Sequence, residues 1–112
     1  MMGWYLDGRV SGVLGTHLRT PTADARLLKQ GTAHVTDVGL VGLYDSAAGL
    51  EVETALKPFV NHVQGRSKPN RKVVGPVAFN SVLVEIELAT KQAISVQRYD
   101  LILDSSTMSG FA

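Results

Sequence analysis

Three histidines, His17, His34 and His62, are the residues best suited to metal-ligand or acid–base chemistry, and their placement limits what they can do. A bound transition metal takes three or more protein ligands, so a single imidazole is not a site. His62 follows Asn61 and falls opposite the apolar stripe of its predicted helix, which makes it a surface residue. His34 precedes Asp37 by three positions in a predicted strand, where their side chains point to opposite faces. They make a poor ligand pair, and both are read as structural. His17 differs. It leaves a predicted strand through Gly15-Thr16, and strand ends that open into loops are where layered folds place ligands. Position alone leaves both a structural and a metal-binding role open for it.

Composition removes other chemistries. The chain of 112 residues has no cysteine, so thiolate metal sites, cysteine nucleophiles and disulfides are excluded. That suits a reducing cytoplasm, the expected location. The net charge of +1, from 11 basic and 10 acidic residues, gives no strong nucleic-acid signal, since counterion-driven binding needs clustered cations. The densest basic group, Arg66, Lys68, Arg71 and Lys72, sits among Gly65, Pro69 and Asn70 and reads as a solvated loop. No apolar run reaches the roughly 18 residues of a membrane span. The N-terminus lacks the basic-then-apolar order of a signal peptide. With 45% hydrophobic and 19% charged residues, the chain is long enough for one globular domain.

The elements that must position His17 can be read along the chain. Residues 1–7 resemble the last turns of a helix closed by Gly8. A domain opening there predicts further sequence upstream. Residues 10–15 read as a short buried strand. Residues 16–29 read as a long loop, with a turn at Thr20-Pro21-Thr22 and one helical turn over residues 23–28. Residues 32–38 are rich in β-branched side chains and predict a second strand. Gly39, Gly42 and Gly49 then mark a glycine-rich connection whose spacing fits neither a dinucleotide fingerprint nor a P-loop.

Val52, Leu56, Val60 and Val63 recur at helical spacing, with Glu51 and Glu53 near the start. Pro58 predicts either a kink or two short helices. Residues 73–79 can add a strand broken at Gly75-Pro76. In residues 82–99, Val82, Val84, Ile86 and Leu88 alternate with Leu83, Glu85 and Glu87. After the turn at residues 89–92, Ile94 and Val96 do the same. This is a β-hairpin with one apolar face. Residues 104–112 read as a frayed tail, leaving residues 1–103 as the folded part.

Residues 3–17, GWYLDGRVSGVLGTH, resemble the stretch GWYLDGRVSAVVGTH of the YmdB-like metallophosphoesterases. The likeness continues through PTADAR (21–26), GTA (31–33), TDVG (36–39), Gly42 and YDS (44–46), and weakens toward the hairpin near Arg98. It covers about residues 3–99. The resemblance implies a calcineurin-like α/β (α+β) fold. This chain would supply the C-terminal portion: part of a layered β-sandwich flanked by helices, ending in the hairpin. It also implies a hydrolase that uses two divalent transition metals (Fe, Mn or Zn) to cleave phosphodiesters, cyclic nucleotides among them. Such a centre activates water and stabilises charge on the phosphoryl oxygens.

His17 matches the first histidine of the family's late motif Gly-Thr-His-Thr-His and is the metal ligand the resemblance assigns here. The second histidine is replaced by Arg19, which has no lone pair for a metal but can contact a phosphate oxygen. The family's other ligands, an early aspartate, a Glu-Asn pair, an Asn-His pair and a further histidine, precede the matched stretch. The Asn-His pair also carries the general acid. Asn61-His62 is not that pair, so no catalytic residue is assigned in this chain. The expectation is a truncated portion, inactive alone, that associates with itself or with a complementary chain through uncovered apolar surface. A non-catalytic structural relative is the alternative.

Overall fold

The computed structural model describes residues 1–62 and 75–104. It is a mixed α/β chain made mostly of strands. The basic loop at residues 65–72, Val63 and the expected tail beyond Asp104 lie outside the described residues. The chain divides into two compact units, residues 1–39 with 80–100 and residues 40–79 with 101–112.

The first unit opens with α1 (Met2–Leu6), followed by Asp7 and a turn in which Gly8 takes a φ of +82°. This is the short helix and glycine stop that the sequence predicts. β1 (Gly12–Leu14) pairs parallel with β3 (Ala33–Val35), and β2 (Arg26–Leu27) pairs antiparallel on the other side of β3. The central strand forms the core. Ala33 and Val35 are buried there, next to the buried Thr32. Burying a side chain the size of Val35 contributes on the order of 1.5–3 kcal/mol.

Two expectations about β1 and β2 are corrected. β1 is not buried: Gly12 and Leu14 are exposed and Val13 is half-buried, because β1 lies at the edge of its sheet. The helical turn predicted over residues 23–28 is instead the edge strand β2, since its backbone bonds to β3 rather than to itself.

Polar side chains fix the turn that joins α1 to this sheet. The Asp7 carboxylate accepts from the Gln30 N–H at 3.0 Å and from the Thr32 N–H at 3.4 Å. The Thr32 hydroxyl donates to the Val10 carbonyl at 2.7 Å and accepts from the Gly8 N–H at 2.9 Å. Gly3 is buried beneath the His34 ring, and any Cβ there would collide with the imidazole. Arg9 lies 4.8 Å over the Tyr5 ring and Arg26 5.5 Å from the Trp4 ring, which ties the exposed aromatic side of α1 to its neighbours.

The hairpin completes this unit as β6 (Val82–Ile86) and β7 (Ala93–Arg98). It forms where the alternation predicts, but its faces differ from the expectation. A register shift at Glu85/Ile86 sets Ala93 opposite Ile86. Ala93 is thereby buried, while Ile94 is left exposed. A one-residue irregularity of this kind reverses which side chains face inward beyond it. β7 lies against β2 and β3, and the Ala93 N–H donates to the Gly31 carbonyl at 2.8 Å.

The second unit holds a three-stranded sheet in the order β4 (Val41–Leu43), β5 (Val77–Phe79), β8 (Leu101–Leu103), all antiparallel. The glycine-rich stretch read as a loop therefore contains a strand. Gly42 pairs with Ala78 within it. α2 (Val52–Asn61) runs through Pro58 as one helix, neither broken nor divided there. Pro58 merely lacks the N–H that would reach the Thr54 carbonyl. His62 ends α2 in the left-handed region at φ 55°. None of the residues of α2 is buried. Among the described residues, no helix is long and apolar enough to cross a membrane.

Candidate functional site

His17 lies just beyond β1 in a loop whose backbone is tied down on several sides. The Gly15 N–H donates to the Val35 carbonyl at 3.2 Å, and the Val38 N–H donates back to the Gly15 carbonyl at 2.8 Å. These bonds carry the β1–β3 pairing past the end of both strands. Gly15 must be glycine, because a Cβ there would run into the Thr36 carbonyl. Beyond this point the chain turns outward, and Thr16, His17, Leu18, Arg19 and Thr20 are all exposed. Arg19 adopts φ 57°, a left-handed conformation uncommon for a side chain of its size.

The buried Asp37 holds the inner side of this loop. Its Oδ2 accepts from the Leu18 N–H at 2.7 Å, and its Oδ1 accepts from the Gly39 N–H at 2.9 Å. Its backbone is clasped by Thr22, whose N–H donates to the Asp37 carbonyl at 3.1 Å and whose hydroxyl accepts from the Asp37 N–H at 3.0 Å. The Thr22 hydroxyl donates to Asp24 Oδ1 at 2.6 Å. Asp24 also accepts from the Thr36 N–H at 3.0 Å and from the Thr36 hydroxyl. The bond from Thr22, then that from Thr36, holds the Asp24 carboxyl well below the usual carboxylate range.

Arg98, at the end of β7, closes the same region. Its Nη1 donates to the carbonyls of Thr22 at 3.4 Å and Asp37 at 3.3 Å, and its Nη2 donates to the Val38 carbonyl. Nε and Nη2 also donate to the Asp100 carboxylate, at 2.8 and 3.1 Å. That fork from Arg98 lowers the Asp100 pKa. Sequence reasoning missed both Asp24 and Arg98 as organisers of the loop. The one local signal was Asp100, two residues beyond Arg98 and so on the same side of an extended chain.

The other predicted residues stand apart from His17. His34 sits in the middle of β3, half-buried, with Nδ1 3.9 Å from Asp24 Oδ2. His62 is exposed at the end of α2. Asp37 is occupied by two backbone N–H groups. Among the described residues, no cluster of three or more His, Asp or Glu side chains is placed to hold a metal ion. A lone imidazole with a guanidinium two residues along is not a donor set for iron, manganese or zinc. The described residues therefore do not fit a metal by themselves, and His17 offers at most one ligand.

The YmdB-like protein family matches residues 1–99. The chain is 41% identical over 99 residues to a 2',3'-cyclic-nucleotide 2'-phosphodiesterase of Bacillus subtilis, covering 87% of this chain and 36% of that protein. It is 31% identical over 100 residues to a putative phosphatase/phosphodiesterase of Mycoplasma pneumoniae, covering 88% of this chain and 34% of the relative. Among solved structures, a hypothetical protein from Thermus thermophilus superposes with a TM-score of 0.78 at 36% identity, over 90% of this chain and 38% of the other. A phosphatase from Mycoplasma pneumoniae superposes with a TM-score of 0.80 at 26% identity, over 96% of this chain and 38% of the other. The chain thus spans about a third of the length of the curated relatives it matches. With nearly all of its described residues inside the match, the chain belongs to the YmdB-like family.

Proposed function

We propose that this chain carries one wall of a phosphodiester-hydrolysing site, with His17 as its single metal ligand, and that by itself it does not turn over substrate. One observation carries the reading: the backbone around His17 is fixed by hydrogen bonds, one of them to the buried Asp37, while the imidazole itself is left exposed. A packed structural histidine has the opposite character, as the half-buried His34 does with its ring over Gly3. The remaining ligands of a two-metal centre come, in this reading, from the complementary portion of the family's domain. In the same reading, residues 1–103 belong to the later part of that layered sandwich.

Arg19 stands where the family motif has a second histidine, and its role is to hold a phosphate oxygen. Its planar fork of donors suits a phosphoryl group, and its fixed positive charge opposes a metal at that position. The substrate class follows the Bacillus subtilis relative, a cyclic-nucleotide phosphodiester. The cofactor would be a divalent transition metal shared with residues outside this chain. The exposed apolar residues of the second unit support association, either with a second copy or with a complementary chain in a reducing cytoplasm.

The test is metal-dependent hydrolysis of a chromogenic phosphodiester by the purified chain, with manganese, iron(II) and zinc in turn. Background rates are expected with each. Metal-dependent turnover that disappears in His17→Ala would overturn the inactivity of the isolated chain. Manganese titration followed at the histidine ring signals checks the ligand assignment, with weak line broadening expected at His17 and not at His62. Equal broadening at both rings would remove His17 as a specific ligand.

A further inference from the structure

We propose that a polar recess at the opposite end of β1 from His17 is a binding site for a small oxyanion of the phosphate class, held by Arg9 and Lys91. No residue of the His17 loop takes part, and no metal is required.

Three chain segments, all in the first unit, form the recess. Residues 8–11 lead into β1, residues 30–31 precede β3, and residues 90–92 close the turn between β6 and β7. β1 and β3 run parallel, so the recess sits where both strands begin, whereas His17 follows the end of β1. The segments are pinned to one another across the sequence. The Ser11 hydroxyl donates to the Lys91 carbonyl at 2.6 Å, and the Gln92 side-chain amide donates to the Gln30 carbonyl at 3.4 Å. Gly31, at φ 92°, lets the wall close, because a Cβ there would stand 3.0 Å from the Gln92 side chain.

Charge decides what the recess can hold. Arg9 and Lys91 line it, and no carboxylate does. Among the described residues, neither of these side chains makes an ion pair or a hydrogen bond. The acids closest in sequence are engaged elsewhere. Asp7 accepts from the Gln30 N–H at 3.0 Å, and Glu87 accepts from the Thr90 hydroxyl at 3.2 Å. Two cations on one recess repel each other, and an anion between them relieves that repulsion. The Tyr5 ring engages the face of the Arg9 guanidinium and leaves its in-plane N–H fork for oxygen acceptors. Lys91 takes φ 65°, a conformation that glycine adopts at less cost, yet the position carries an ammonium. Its N–H donates to the Glu87 carbonyl at 2.8 Å and its carbonyl accepts from Ser11, so the root of that side chain is fixed.

Size narrows the ligand. The recess holds about 130 Å³, well under the roughly 300 Å³ of pockets that enclose a drug-sized molecule. That admits a tetrahedral oxyanion and not a nucleoside. An arginine fork beside a lysine point charge matches the oxygens of a phosphate. Both cations are exposed, so free phosphate and the terminal phosphate of an ester present the same chemistry here.

The experiment titrates the whole chain with inorganic phosphate, without metal and at low ionic strength, and follows the backbone amide signals. Sodium chloride at matched ionic strength is the control. Saturable shifts are expected at Ser11, Gly31, Lys91 and Gln92, with Leu18 and Arg19 unmoved. Lys91→Gly removes the charge and suits the backbone, so it should weaken phosphate binding at least about fivefold without lowering the denaturant midpoint. Arg9→Gln should weaken binding at least as much. Arg9→Lys keeps the charge without the fork and should fall between the parent and Arg9→Gln. A second titration with phenyl phosphate separates the sources. Binding comparable to the inorganic ion supports the site with an ester as occupant, and binding of the inorganic ion alone supports it with free phosphate.

Shifts that chloride reproduces, or that settle at Arg19 and not at Lys91, would overturn the proposal. So would folded Lys91→Gly and Arg9→Gln variants that bind phosphate as the parent does. If Arg9→Gln does not fold, Lys91→Gly decides alone.

Discussion

The two units differ in how densely polar side chains fix a short chain. In the first, small strands are held by side-chain oxygens: Asp7, Thr22, Asp24, Thr32, Asp37 and the Asp100 fork all bond to backbone or to one another. In the second, strands pair and a helix forms with fewer such bonds, those of Ser46 among them; large apolar side chains lie at the surface in both units. Val41, Phe79 and Leu101 make one cross-strand row, and all three are exposed. On α2, Val52, Leu56, Phe59 and Val60 are exposed as well. The contrast teaches where the family's recognisable residues act. Many serve the architecture of the first unit, and His17 is presented by them.

The largest expected difference between the units comes from removing apolar volume. Val35→Ala, in the buried strand of the first unit, should destabilise by about 2–3 kcal/mol, from lost transfer free energy and the cavity left behind. Val41→Ala, in the exposed row of the second, should change stability by less than about 0.5 kcal/mol. Denaturant unfolding of both variants measures this. Equal losses would break the comparison, because Val41 would then be as well covered as Val35.

A smaller effect concerns acid. Asp24 and Asp100, both in the first unit, have folded pKa values below the ordinary 3.8. A carboxylate lowered on folding contributes stability that is fully present above the unfolded value. That contribution fades as pH falls below 3.8 toward the folded one. Acidification through this window should therefore weaken the first unit, seen as faster amide exchange at Thr36, whose N–H bonds to Asp24. Asp24→Asn should flatten that pH dependence and lower stability at neutral pH. An unchanged acid profile in the variant would remove Asp24 from the account. Both carboxylates are partly exposed, so solvent screening keeps the effect below that of Val35→Ala.

How much of this was legible in the sequence also divides between local and distant causes. The helix stop at Gly8, the strand around His34 and the terminal hairpin all follow from patterns within a few residues. β2 was not legible, because two residues carry no period and their pairing depends on β3. β4 was hidden by Gly42, whose missing side chain reads as flexibility until its pairing with Ala78 is seen. The faces of the hairpin were misjudged, because alternation assumes unbroken register and the irregularity at Glu85/Ile86 breaks it. For the site, His17 and Arg19 were found by resemblance to a motif. The residues that hold their loop, Asp24 and Arg98, act across 12 to 76 positions of sequence, beyond the reach of local pattern.

The smallest stability effect belongs to the most exposed part of α2, and it sharpens the comparison most directly. Phe59 is 79% exposed, so Phe59→Gln loses little burial and should leave unfolding within about 0.5 kcal/mol of the parent. Its consequence should appear instead in association. An aromatic ring together with Val52, Leu56 and Val60 forms an apolar stripe on a helix with no buried residue. Such a surface is stabilised by covering it, whether with a second copy or with a complementary chain. Light scattering over a range of concentrations should show the parent chain increasing in mass and Phe59→Gln doing so less. If both stay monomeric at every concentration, the stripe does not drive self-association. If Phe59→Gln instead unfolds the chain, Phe59 belongs to a core and the second unit resembles the first. The two outcomes bear on different claims, because stability reads what is covered within the chain and mass reads what is covered between chains.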